Sequence, residues 1–204
     1  MPLPLDTRAV HAILFDMNGT LRSREPHPAT QEAAYARLRQ LLGKSEAGTD
    51  FWDELTRRQK AYTRWAQGKL IQKTESEIWS EWMLPGTPPA QVEPIAAELM
   101  LAWQERKGRA VPKPGAGATI QVLHQRGYRL GVISNTMSTL DIPNTLADFG
   151  WQEYFEVVIL SANTRVRKPS PGPFLEAARR MNLAPAQCAY IGNRLSKDIA
   201  GCRQ

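Results

Sequence analysis

At 204 residues the chain can hold one good hydrophobic core with an elaboration, or two modest domains. Its 42% apolar and 23% charged content is that of a soluble globular protein; no apolar run approaches a bilayer span, and two cysteines are too few for a disulfide framework. The net charge of +6 comes from scattered basic residues, which argues against nucleic acid or a membrane surface and suits an anionic small substrate or a plain solvated surface.

The start, Met1-Pro-Leu-Pro-Leu-Asp6, has neither a basic n-region nor an apolar h-region, so a cytoplasmic protein is expected. In His11 to Leu21 an apolar run, Ala12 to Phe15, stops at Asp16, and Gly19 and Thr20 follow at once. This reads either as a buried strand ending on a carboxylate or as a turn rich in Asp, Asn and Gly. Residues 30 to 106 then read almost entirely as helix. Thr30 to Leu42 places Ala34, Leu38, Leu41 and Leu42 on one face. Asp50 is a plausible N-cap for a second helix, with Phe51, Leu55 and Tyr62 on one face and Gly68 as its stop. Thr74-Glu-Ser-Glu77 has the form of a capping box, and a fourth helix runs from Pro89 to Arg106. Five of the six tryptophans fall in this segment at helical spacing, which marks them as bundle core rather than a binding site. Arg57, Lys60 and Arg64 share a helix face and read as solvated.

From Gly108 to Gly115 the composition is that of a linker. Helices and strands alternate thereafter: helix Ala116 to Gln125 stopped by Gly127, strand Arg129 to Ile133, helix Asp141 to Phe149, strand Phe155 to Leu160, helix Pro171 to Met181, strand Cys188 to Ile191. Such alternation predicts an α/β fold, a Rossmann-like parallel sheet with right-handed crossovers. The sheet domain is then discontinuous, residues 1–21 and 110–204, with an all-helical insertion at 22–109.

The strand ends carry residues suited to one task. Asp16 and Thr20 follow the first strand, Ser134 and Asn135 the second, Asn193 and Asp198 the last, and Lys168 lies in the loop after the third. A carboxylate nucleophile, hydroxyl and amide donors and a fixed ammonium are what phosphoryl transfer through an aspartyl intermediate requires. Oxygen ligands from two strand ends could also seat Mg²⁺.

Four pieces, Phe15-Asp-Met-Asn-Gly-Thr-Leu21, Val132-Ile-Ser-Asn-Thr136, Arg167-Lys-Pro169 and Tyr190-Ile-Gly-Asn-Arg-Leu-Ser-Lys-Asp-Ile199, stand in the order of the haloacid dehalogenase-like (HAD) hydrolase superfamily, which the chain resembles. The inserted helices occupy the place of that family's cap. The resemblance implies that Asp16 attacks phosphorus while Thr20, Ser134, Asn135 and Lys168 hold the phosphoryl oxygens. It implies Mg²⁺ on the Asp16 carboxylate, the Asn18 backbone carbonyl and the Asn193 side chain, with Asp198 in support. The expected ligand is a small phosphorylated metabolite.

Two positions depart from the family's phosphatases, which carry Asp at the place of Asn18 and usually at that of Asn193. An amide at 18 cannot serve as general acid and base, catalysis typically worth about a hundred- to ten-thousand-fold. An amide at 193 removes a negative charge from the metal site. Three readings follow: a Mg²⁺-dependent phosphatase, slow or using another proton donor; a phosphate-binding or regulatory protein without turnover; and a metal-independent haloacid dehalogenase. Against the last, position 18 lacks that branch's Tyr and the interval from Asn193 to Asp198 is the longer, phosphatase-like one. The last helix has barely begun at Gln204, so an uncovered sheet edge with reduced stability or self-association is expected.

Overall fold

The computed structural model describes residues 9–203; Met1 to Asp6 and Gln204, on which the expectations for the two chain ends rest, lie outside them. The apolar run forms strand β1, Ala12–Phe15. It lies between β4 (Arg129–Ser134) and β6 (Cys188–Ile191), and β5 (Phe155–Leu160) completes a sheet of order β5-β4-β1-β6. Every pairing is parallel, and the register sets Phe15 beside both Val132 and Ile191. Strands β1, β5 and β6 follow the apolar runs of the sequence, and β4 extends one residue beyond the expected end to include Ser134.

Alternation along β1 feeds two cores, as period-two geometry requires. Ile13 and Phe15 pack with Ile120 of α6 (Ala116–Gln125) and with Ile142 and Leu146 of α7 (Asp141–Asp148). Ala12 and Leu14 face Ala177 of α8 (Gly172–Arg180), with Met181 just beyond it. Helices thus cover both faces of the central strand β1, which is why it reads as an unbroken apolar run, whereas Glu156 of β5 and Ile191 of β6 remain exposed.

The helical insertion comprises α1 (Pro28–Leu42), α2 (Thr49–Lys69), α3 (Glu75–Glu77) continuing into π-helical turns at Ile78–Met83, α4 (Pro89–Val92) and α5 (Ala96–Glu105). Trp52, Trp79 and Trp103 are buried in its core, and Trp65 and Trp82 pack against the same cluster, as the helical spacing predicts. Arg57, Lys60 and Arg64 are solvent-exposed. The capping box at α3 is present: Thr74 Oγ1 accepts from the Glu77 N–H at 3.2 Å, and Glu77 Oε2 accepts from the Thr74 N–H at 2.6 Å.

Three local expectations need correction. Helix α2 is capped by Gly48 rather than Asp50, which sits in the first turn. The same helix runs through Gly68, and the left-handed residue that ends it is Leu70 at φ 55°. That conformation is unfavourable for Leu, and the Leu70 carbonyl is held by the Arg167 N–H at 3.0 Å. The expected fourth helix breaks into α4, a 3₁₀ turn at Glu93–Ile95 and α5, because Pro94 cannot donate to the helical ladder.

The expected linker is also a strand, β3 (Arg109–Pro112), paired antiparallel with β2 (Arg22–Glu25). This ribbon carries the chain into and out of the insertion. A Cβ on Gly108, whose φ is 109°, would run into the Glu25 carbonyl, so only glycine closes the ribbon at this point. Polar residues hold it in place. Arg22, only 1% exposed, and Arg24 both form ion pairs with Asp141 at the start of α7, and Arg24 also donates to the Gly108 carbonyl at 2.6 Å.

Burial would raise the Asp141 carboxyl, but the two guanidinium groups hold it below its ordinary value. Its contribution to stability is therefore complete above the ordinary carboxyl range and is lost as pH falls through the lowered value. Asp141→Asn leaves two cations facing a neutral group, and we expect a loss of about 3–5 kcal/mol in equilibrium urea unfolding at neutral pH. The loss should shrink as the pH of the titration is taken below the ordinary carboxyl range.

Candidate active site

Asp16 is the first residue beyond β1; β4 runs two residues past the level of Phe15 to end at Ser134, and β6 ends level with Phe15 at Ile191, next to Tyr190. It is 8% exposed. Burial raises its carboxyl above the ordinary value, and the adjacent Lys168 ammonium opposes that rise. Lys168 Nζ lies 2.8 Å from Asp16 Oδ1, 2.7 Å from Asp198 Oδ1, 2.9 Å from the Ile133 carbonyl and 2.5 Å from the Tyr190 hydroxyl. Asp198 is spent on this cluster: Oδ1 also accepts from Tyr190, and Oδ2 accepts from the Arg194 N–H at 2.9 Å.

Two predicted phosphate-binding hydroxyls, Thr20 in the turn four residues after Asp16 and Ser134 at the end of the neighbouring β4, have nothing to bond, although neither lines the cavity that holds Asp16. Thr20 Oγ1 and Ser134 Oγ are buried and have no hydrogen-bond partner among the described residues. An unmade bond at a buried hydroxyl costs about 1–3 kcal/mol, so two at one strand-end cluster call for a ligand. Asn135 is used differently. Its amide donates to the Lys168 carbonyl and accepts from the Lys168 N–H, both at 2.9 Å, so the side chain fixes the backbone that carries the ammonium.

Asn18 is exposed, and its Oδ1 accepts from Nε of the buried Arg22 at 3.0 Å. Only the carbonyl end of the amide can accept from Nε–H, so the NH₂ end is the one left for other partners. Asn193 is also exposed, and its amide packs on the turn after β1. A Cβ at Gly19, whose φ is 88°, would meet it.

Asp16, Asn18, Asn135, Lys168 and Asp198 line one cavity of about 180 Å³, which Gln67 of α2 closes from the cap side. The cap is latched over it. Glu75 of α3, 8% exposed, accepts from the Thr139 N–H at 2.8 Å and the Thr139 hydroxyl at 3.0 Å. Gln72 and Leu70 pair through their backbones with Arg165 and Arg167.

Sequence reasoning missed Tyr190, Arg22 and Arg167. Tyr190 lies three residues before the expected strand-end residue Asn193 and opens a recognised motif, but nothing in the sequence marks its hydroxyl as part of the site. Arg22 adjoins one recognised motif and Arg167 opens another, but nothing in the sequence marks a basic residue as buried.

Residues 10–204 match the family described as haloacid dehalogenase-like hydrolase. The chain belongs to that family. A glyceraldehyde 3-phosphate phosphatase of Methanopyrus kandleri is 28% identical over 204 aligned residues, 96% of this chain and 80% of that protein. A phosphoglycolate phosphatase of Nitrosococcus oceani is 33% identical over 90 residues, 44% of this chain and 39% of that protein. The crystal structure of a HAD phosphatase from Thermococcus onnurineus matches at a TM-score of 0.59 and 25% identity, covering 95% of this chain and 82% of that one. The parallel sheet with inserted helices is thus the HAD arrangement, and among the described residues no helix is long and apolar enough to cross a membrane.

Removing the Lys168 ammonium would leave two buried carboxylates facing each other. We expect Lys168→Met to cost about 3–5 kcal/mol in urea unfolding. Lys168→Arg should not restore the loss, because a planar guanidinium cannot reproduce the compact ammonium's contacts.

Proposed function

We propose that the protein is a phosphoric monoester hydrolase acting on a small phosphorylated metabolite through Asp16. The observation that carries this reading is a carboxylate bonded to a buried ammonium at the end of β1, with unpartnered hydroxyls on the turn that follows it, Thr20, and at the end of the neighbouring strand, Ser134. Asp16 attacks phosphorus, the ester oxygen leaves, and an aspartyl phosphate forms; water then attacks that phosphorus, regenerating the carboxylate and releasing inorganic phosphate. Thr20 and Ser134 donate to the phosphoryl oxygens, and Lys168 offsets their charge. Asn135 acts as a positioning residue for Lys168. The discontinuous division, residues 1–21 and 110–204 against 22–109, gives the cap the role of excluding bulk water while the aspartyl phosphate exists.

The family's Mg²⁺ fits the residues present, though weakly. Among the described residues no three His, Cys, Asp or Glu side chains gather at one point, and Asp198 has both oxygens engaged. Lys168 bonds only Oδ1 of Asp16, and the Asn193 amide packs on the turn that carries the Asn18 carbonyl. Mg²⁺ is commonly held by one or two carboxylates plus ligand phosphate and waters. Asp16, the Asn18 carbonyl and Asn193 would hold it here, with Asp198 in indirect support. The ion supplies charge stabilisation to the transferring phosphoryl group.

Asn18 limits turnover, because an amide neither protonates a leaving group nor deprotonates water. The Arg22 contact sharpens what restoring a carboxylate should do. In Asn18→Asp the new carboxylate would lie against a buried guanidinium and stay ionised, which makes it a competent base for water and a poor acid for the leaving group. With p-nitrophenyl phosphate, whose leaving group needs no proton, we expect this substitution to raise Mg²⁺-dependent hydrolysis by about 10²–10⁴-fold. With an alkyl phosphate the gain should be much smaller. The retained contact between Asn18 and Arg22 favours one second reading, a phosphate-binding protein without turnover. No gain with either ester, in a variant that still binds phosphate, would establish it.

A further inference from the structure

A second cavity, about 350 Å³, adjoins the first and shares Asn18, Asn135 and Arg167 with it. Its charged lining is Arg22, Arg24, Lys107 and Arg167 against a single carboxylate, Asp141. That carboxylate is already taken by Arg22 and Arg24. Lys107 and Arg167 have no carboxylate partner among the described residues; Lys107 donates to the Gln104 amide at 2.8 Å, and Arg167 donates to that of Gln72. Arg167 is 6% exposed, and its Nε–H is buried with no partner. On the cap side Thr63 adds a hydroxyl that also lacks one.

A buried guanidinium bonded to neutral groups alone is costly, and natural structures pair such charges. Lys107 feels the same imbalance. It is solvent-exposed, which tempers the effect of burial, yet burial and then repulsion from Arg106 and Arg24, opposed by Asp141, pull its ammonium down to about 8. Beyond Asp141, which Arg22 and Arg24 already occupy, the described residues supply no anion to this cavity, and it adjoins the cavity that Asp16 lines.

We propose that the second cavity is a subsite for a second anionic group of the ligand, so that the protein recognises phosphate esters whose far end carries a carboxylate or another phosphate. Arg167 reaches both cavities and is the central residue of the subsite. Lys107 supplies a second charge, and Thr63 of α2 supplies a neutral donor from the cap. The inference rests on the phosphatase reading for the placement of the first phosphoryl group.

The test is isothermal calorimetry at neutral pH with four probes: inorganic phosphate, glycerol 3-phosphate, 3-phosphoglycerate and propane-1,3-diol bisphosphate. The last two present a carboxylate and a phosphate in place of a hydroxyl-bearing end. We expect at least one of them to bind about tenfold or more tighter than glycerol 3-phosphate, the equivalent of one charge-assisted hydrogen bond. Whichever of the two is preferred identifies the second group. Arg167→Gln should bring the ratio toward one, Lys107→Gln should reduce it, and Arg64→Gln, on the solvated face of α2, should leave it unchanged. Equal affinities of the wild-type protein for glycerol 3-phosphate and both esters that carry a second anionic group overturn the subsite and leave the phosphatase reading intact. A ratio that Arg64→Gln lowers as much as Lys107→Gln does also overturns it, in favour of general attraction to a basic surface. Absence of binding by all four probes overturns the phosphatase reading itself.

Discussion

The Lys168 ammonium is the contact on which the site depends. It is buried, and an unpaired buried charge would cost several kcal/mol, so its oxygen partners must all be in place. Four surround it and an ammonium has three N–H bonds, so one is shared. Those oxygens belong to residues 16, 133, 190 and 198, which converge only if β1, β4 and β6 are held in register. The pairing that sets Phe15 beside Val132 and Ile191 does this. The sheet's alignment and the chemistry of the site are therefore one constraint: a slip of one residue in any strand would strand a charge as well as turn apolar side chains outward.

The loop that carries Lys168 also meets the cap. The Lys168 N–H is held by Asn135, while its neighbour Arg167 bonds the Leu70 carbonyl, and Arg165 pairs with Gln72 and Glu77. The same few residues thus fix the ammonium on one side and the cap on the other. Opening the cap breaks the contacts of Arg165 and Arg167 and the Glu75–Thr139 latch, but leaves the bonds between Lys168 and Asn135 untouched.

The strands were legible because each is a short, largely apolar run, and helices cover both faces of the central one. The cap was legible because its tryptophans recur at helical spacing. Asp16 could be placed because a parallel sheet binds its ligands beyond the carboxyl ends of its strands, where an apolar run that stops at a carboxylate sets an acid. The ribbon β2–β3 was not legible: Arg22–Glu25 has no apolar alternation, and what secures it is a carboxylate more than a hundred residues away. The same reason hid Tyr190 and Arg167. A buried polar residue is stabilised by partners distant in sequence, and no local period records them. Asn135 was found as a polar strand-end residue, but whether its amide meets a ligand or the chain's own backbone depends on a loop thirty-three residues on.

Asn18 and the charge around it belong together. Arg22 and Arg24 share one carboxylate, so the turn after β1 carries an excess positive charge that a carboxylate at position 18 would cancel. With an amide there, Arg22 still finds an acceptor, but its charge is left for whatever occupies the adjoining cavity. The same amide that removes a proton-transfer group therefore makes the site a better trap for anions. On the phosphatase reading, the missing proton-transfer group and the positive charge left for an anionic ligand thus trace to one side chain, bonded to a buried arginine four residues away.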